Sequence, residues 1–153
     1  MSAYPADLQQ GMDNLLGAVI DGRTDNIRYR QNELHRLHTS LGDKASLICA
    51  AITADISSTA VEAETEFFLA MDSIRKSYYT LDFDRSIKDE YLVTTGEDNP
   101  ERSKGVGLVT IRPTSHSKFY SVVAPLAAAI AAGNCVLLEV SVSHFVKNKM
   151  EIK

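Results

Sequence analysis

The chain has only two cysteines, Cys49 and Cys135, among 153 residues. Two cysteines build neither a disulfide framework nor a four-ligand zinc site. Each stands in an apolar run, which predicts two buried structural thiols. Positive charge is not in excess either: 16 Lys and Arg face 20 Asp and Glu, a net charge of −4. Nucleic-acid binders carry clustered positive charge, so no nucleic-acid partner is expected. Long hydrophobic runs are missing as well. The longest, around residues 122–132, falls well short of a bilayer span, and no membrane partner is expected. The opening MSAYPADLQQ has neither the basic stretch nor the apolar stretch of a secretory signal, so the expected location is cytoplasmic. Glycine-rich phosphate loops are lacking: Gly105 and Gly107 make only G-V-G, too little for a dinucleotide fingerprint.

What is present is ordinary for a soluble globular protein, with 44% hydrophobic and 24% charged residues, enough for one domain with a core. The first half, residues 1–82, reads as helices. Leu8, Met12, Leu15, Leu16 and Val19 keep a helical period, with Gly22 as a stop. A second helix starts at Thr24 or Asp25, carries Ile27, Leu34, Leu37 and Leu41 as its stripe, and ends at Gly42. A third, DKASLICAAITADIS, starts at Asp43 and is apolar nearly all round, which predicts deep burial. A fourth starts near Ser58 or Thr59, with glutamates early and Arg75 and Lys76 late, as the helix dipole favours. Phe67, Phe68, Tyr78 and Tyr79 are expected at the core and its edge.

Residues 83–104 read as a short strand, KDEYLVTT, and a turn-rich connection, GEDNPERSKG. Residues 105–153 read as strand VGLVTIR, helix SKFYSVVAPLAAAIAAG and strand NCVLLEV, with Pro125 implying a kink or a late helix start. The tail KNKMEIK is expected to fray or to extend a last short helix. The fold class is therefore α/β and helix-rich: amino-terminal helices plus a partial Rossmann-like βαβ unit. Two parallel strands cannot cover their own edges. The sheet is expected to be extended by another chain, as a homodimer or larger oligomer, or covered by the helices and by the earlier strand.

GLVTIRPTSHSKFYSVVAPLAAAIAAGNCVLLEVS resembles the start of the cofactor domain of aldehyde dehydrogenases. The family pattern there runs roughly G-V-V-L-V-I-x-x-W-N-Y-P-F, then P-L-x-x-A-I-A-A-G-N, then x-V-V-L-K-P-S-E. The match from Ala124 to Leu138 is ungapped. RQNELHRL looks like the family's R-x-x-Q-L-x-x-L helix, and LICAAITADIS looks like its A-L-x-x-D-L-x-K segment, followed by a helix carrying Glu66. The class-3 or fatty-aldehyde branch is nearest in style. The resemblance covers most of this chain but about the first third of a family member, which implies a truncated relative.

Where the family has the oxyanion-hole asparagine of W-N-Y-P, this chain has His116, with Ser115, Ser117 and Lys118 for the neighbouring tryptophan, tyrosine and proline. Where the family has the ribose-binding lysine of K-P-S-E, this chain has Glu139, followed by Val140, Ser141 and Val142. A carboxylate there accepts from ribose hydroxyls but repels a 2′-phosphate. The family's nucleophilic cysteine, general-base glutamate and cofactor loop belong to later segments. Aldehyde oxidation needs a thiolate and a bound nicotinamide, so neither dehydrogenase activity nor a cofactor is expected.

Arg112 to Tyr120, RPTSHSKFY, sets polar side chains in a strand-to-helix turn, where α/β units bind ligands. The candidate catalytic residues are His116, Lys118 and Tyr120; Arg112, Thr114, Ser115, Ser117 and Glu139 are candidates for binding a small-molecule substrate. A bland polar loop is the competing reading. His35 and His38 lie three apart on one helix with no third ligand, so a solvated face is expected and no metal. Glu62, Glu64 and Glu66 read as a charged helix start, Glu66 with a packing role or an ion pair to a base such as Arg30.

The leading expectation is a repurposed scaffold whose pocket runs cofactor-independent, non-redox chemistry: cyclisation, isomerisation, dehydration or a pericyclic step, as in specialised metabolism. The alternative is an interaction protein that pairs with itself or with a full-length aldehyde dehydrogenase-like partner, residues 88–95 resembling the family's oligomerisation strand. A decayed fragment with no function, or an incomplete chain, is the third. Against it, caps, stripes and turns still specify one fold consistently.

Overall fold

The computed structural model describes residues 6–97 and 104–139. The tail KNKMEIK and the residues following Glu139 lie outside the described residues, as does most of the turn-rich connection. Six helices and two strands run in the order α1 (Ala6–Ile20), α2 (Ile27–Gly42), α3 (Ala45–Ile56), α4 (Ala60–Tyr79), α5 (Phe83–Thr94), β1 (Leu108–Ile111), α6 (Lys118–Ala131) and β2 (Cys135–Leu138) among the described residues. The protein is helix-rich α/β with a small parallel sheet, as its sequence predicts.

α4 is the central beam. A capping box starts it: Thr59 N–H donates to Glu62 Oε2 at 2.8 Å, and Glu62 N–H donates to Thr59 Oγ1 at 3.3 Å. One face then buries Ala63, Glu66, Ala70 and Ile74, at helical spacing. This face meets Val123 and Ala127 of α6, and Leu34 of α2 completes the buried cluster. Alanines at the contact let the α4 and α6 backbones approach closely. Leu37, Leu41, Met71, Phe119 and Ile130 pack around the cluster.

Several boundaries differ from the sequence expectation. The N-cap of α2 is Asn26, whose side chain accepts from Arg28 N–H at 2.8 Å and Tyr29 N–H at 3.4 Å; it is neither Thr24 nor Asp25. Asp43 caps the carboxyl end of α2, so α3 starts after Lys44. α3 is also far less buried than its composition predicts. Only Ile52 is buried among its described side chains, and Leu47 is 68% exposed. The helix lies at the rim, against α4 and α2, so an all-round apolar surface finds cover on one side only. Cys49 on it is half-buried, whereas Cys135 is buried as expected. Phe68 and Tyr79 point outward rather than into the core.

The largest correction concerns residues 88–95. They are not a strand: residues 88–94 form the last part of α5. Tyr91 to Thr95 has β-type composition, but Phe83, Ile87 and Tyr91 sit at i, i+4 and i+8, a helical phase that begins before Lys88. Asp82 fixes the start by accepting from Arg85 N–H at 3.0 Å. The Arg28 guanidinium lies 3.7 Å from the Phe83 ring centroid, and Gln31 Nε2 donates to Leu81 O at 3.1 Å. Local capping and these anchors decide the conformation.

β1 and β2 pair in parallel, Leu108 with Cys135 through Ile111 with Leu138. α6 makes the crossover. It begins at Lys118, so Pro125 sits in its interior and the expected late start does not occur. At its far end Gly133 takes φ +81° and Asn134 is buried. Asn134 Oδ1 accepts from Gly107 N–H at 3.0 Å, tying the helix exit to the entry of β1. A Cβ on Gly105 would collide with Gly133 O, so this crossing of two backbones requires glycine. Both α1 and α6 pack on the two strands.

Candidate functional site

The turn of residues 112–117 leaves the carboxyl end of β1 and enters α6. It folds back on the first helical turn. Thr114 N–H donates to Ser121 Oγ at 3.2 Å, Ser121 Oγ donates to Lys118 O at 3.0 Å, and Thr114 Oγ1 donates to His116 O. Ser117, the residue before α6, sits in the left-handed region at φ 46°, a costly place for a side chain. No side chain of Ser117 caps the helix. A carboxylate from α4 does that work: Glu66 Oε1 accepts from Tyr120 N–H at 3.0 Å. Glu66 is 9% exposed, and a negative charge at a helix amino terminus is stabilising.

The eight candidate residues do not converge on one point. Lys118 Nζ turns to Asp55 Oδ2 on α3, 2.7 Å away. Arg112 Nη2 reaches Glu139 Oε1 at 3.2 Å, linking the carboxyl ends of the two strands. Both of those side chains are more than half exposed, so the pair contributes little. Ser115, His116 and Ser117 are exposed at the tip, and Tyr120 is 40% exposed. His116 is exposed to solvent, and the turn gives it no wall. Clefts of about 290 Å³ and about 1110 Å³ indent the described residues, and none of the eight candidates lines either of these two.

The sequence missed the groups that hold the turn. Glu66 reads in the sequence as part of a charged helix start, with a packing role or an ion pair to a base such as Arg30. It is instead a buried acceptor, and the signal was present: Ala63, Glu66, Ala70 and Ile74 share one stripe, and an acid there needs a buried donor. Arg30 serves the other end of α6. Its Nη1 donates to Ala131 O at 2.8 Å and its Nη2 to Asp25 O at 3.3 Å. Burial pulls the Arg30 guanidinium below its ordinary pKa, and Asp25 opposes this. Asp55, which holds Lys118, carried no sequence signal.

Among the described residues no group of three His, Cys, Asp or Glu stands ready for a metal, and His35 and His38 lie exposed on α2. No described helix is long and apolar enough to cross a membrane.

The chain is similar to aldehyde dehydrogenase family 3 member B1 of Bos taurus, at 30% identity over 136 residues. The aligned stretch covers 85% of this chain and 28% of that protein. No family model matches the chain. No solved structure matches it either. The aldehyde dehydrogenase-like relationship read from the β1–α6–β2 segment thus extends over both the helical and the βαβ parts.

Proposed function

We propose that the chain is an aldehyde dehydrogenase-like interaction protein without dehydrogenase activity. Its sheet is completed by strands of a second polypeptide: another copy of the chain, or a full-length aldehyde dehydrogenase-like relative. The observation that supports this is the sheet itself. β1 and β2 pair only with each other among the described residues, so each leaves one edge of backbone N–H and C=O groups without a strand partner. Helices α1 and α6 already pack on these strands, and what is missing is lateral pairing. Pairing runs through β1 or β2 rather than through residues 88–95, which are mostly helical. Hydrogen exchange at the backbone amides of residues 108–111 and 135–138 tests it. Protection there rises with protein concentration, or on adding a full-length family 3 aldehyde dehydrogenase; protection unchanged under both conditions refutes it.

A second reading keeps the turn as a small-molecule site for cofactor-independent, non-redox chemistry. What favours it is the Arg112–Glu139 pair at the carboxyl ends of the parallel strands, the usual ligand side of such sheets, next in sequence to the turn that carries His116. It predicts a substrate whose turnover is lost in His116→Ala while the fold is kept; equal turnover by that variant removes it.

A further inference from the structure

The smaller cleft lies between α1, α2, α6 and the start of β2 and has a volume of about 290 Å³. That is at the small end of the range for ligand pockets, roughly 300–1,000 Å³. Its lining is mainly apolar: Leu15 and Ala18 of α1, Leu126 and Ile130 of α6, and Val136 of β2 contribute to it. Arg23, Tyr29 and Arg30, from the α1–α2 connection and α2, also line it.

The polar groups are not equally free. Asn134 also lines the cleft, but its amide is spent on Gly107 N–H and Ala129 O. Glu33 lines it and pairs with Arg36 at 3.2 Å. Arg23 pairs with Asp21 at 3.2 Å, with both side chains more than half exposed, a pair that a ligand anion displaces at little cost. Arg30 donates to two backbone carbonyls, and the charge of Asp25 lies near enough to act on it. The Tyr29 side chain has no hydrogen-bond partner among the described residues, and the residue is 43% exposed. The lining therefore includes two arginines and one tyrosine, and its one acidic residue, Glu33, is paired with Arg36, while Asp21 and Asp25 act on Arg23 and Arg30 from outside the lining.

We infer that this cleft binds a small amphipathic monoanion, a carboxylate on a short alkyl chain. The head group sits at Arg23, Tyr29 and Arg30, and the chain lies on Leu15, Ala18 and Ile130. A lipid with two long chains does not fit this volume. The inference does not depend on the sheet-pairing proposal, since the cleft is walled by residues of one chain.

Amide NMR of the isotope-labelled full chain, titrated with octanoate, tests it. Octanoate is expected to shift the amides around Leu15, Ala18, Arg23, Ile130 and Val136, whereas 1-octanol and trimethyloctylammonium leave them in place. Arg23→Gln, an exposed position where folding is not at stake, weakens octanoate about twofold to fivefold, the worth of an exposed charge pair. Ala18→Phe fills the cleft and weakens it by at least about tenfold. An unmoved spectrum with octanoate, shifts away from the cleft, or equal shifts with the cationic amphiphile each overturn the inference, whether or not the Ala18 variant folds.

Discussion

Glu66 on α4 accepts the Tyr120 amide of α6 at 3.0 Å, so a buried carboxylate of one helix closes the amino terminus of another. Arg30 on α2 closes the opposite end of α6 through Ala131 O. The crossover helix is therefore fixed at both ends by charges of the sign its dipole favours. The two strands inherit their register from a helix that cannot slide.

Glu66→Leu removes the acceptor and leaves the part-buried Tyr120 N–H without its carboxylate partner. A hydrogen bond to a charged group is worth about 1.5–3 kcal/mol, and a loss of that size is expected in urea unfolding. Glu66→Gln keeps an acceptor and loses less. Equal stability of wild type and Glu66→Leu would show that the contact is not formed in solution.

Gly105→Ala drives a Cβ into the Gly133 carbonyl, and neither backbone can turn away. The expected cost is about 1–3 kcal/mol by thermal or urea unfolding. Gly11→Ala is the control. Gly11 lies within α1, and a Cβ there meets nothing within 4 Å, so a gain of about 0.5–1 kcal/mol is expected. The two variants differ by one methyl group each and move in opposite directions.

Acid should destabilise the fold through α4. Hydrogen bonds from the Thr59 backbone and then its side chain hold Glu62 below the ordinary carboxylate range. Lys76 and then Arg75 do the same for Asp72. A carboxylate whose folded pKa is depressed contributes stability above its unfolded pKa and loses it as pH falls through the folded value. Stability should be level above the ordinary carboxylate range and fall below it. Thr59→Ala removes the side-chain part of the box, costs about 1 kcal/mol at neutral pH, and flattens part of that fall. A variant with an unchanged acid limb would separate Glu62 from the effect.

Much of this architecture was legible in the sequence because it rests on local rules. The start of α4 near Ser58 or Thr59, realised at Thr59, and the β1–α6–β2 order follow from cap residues, periodicity and turn residues, whereas the buried stripe of α4 is no part of that reading. The A-A-G-N turn is built as such: Gly133 takes positive φ, and Asn134 reaches back to Gly107. What stayed hidden depends on distant partners. Residues 88–95 read as a strand because a window starting at Lys88 omits Phe83 and Ile87, which set the helical phase. α3 read as buried because composition gives apolarity but not what covers it. The candidate residues do lie at a strand-to-helix turn, yet their polarity does not say whether the side chains converge. Lys118 turns to Asp55 and Arg112 to Glu139, partners that no motif announces.

Nicotinamide cofactors should not bind the chain with micromolar affinity. Glu139 stands where the resembling family has its ribose-binding lysine, and it is engaged by Arg112 at 3.2 Å. Calorimetric titration with either cofactor form is expected to give no heat of specific binding. Micromolar binding would reverse the assignment of Glu139.

The central claim is that the two-stranded sheet is completed by another polypeptide. Multi-angle light scattering of the purified chain, alone from low to high micromolar concentration and then mixed with a full-length family 3 aldehyde dehydrogenase, tests it most directly. The expected result is a dimer or larger species, or a stable mixed complex. A clean monomer across the whole range, with no mixed complex, would contradict it.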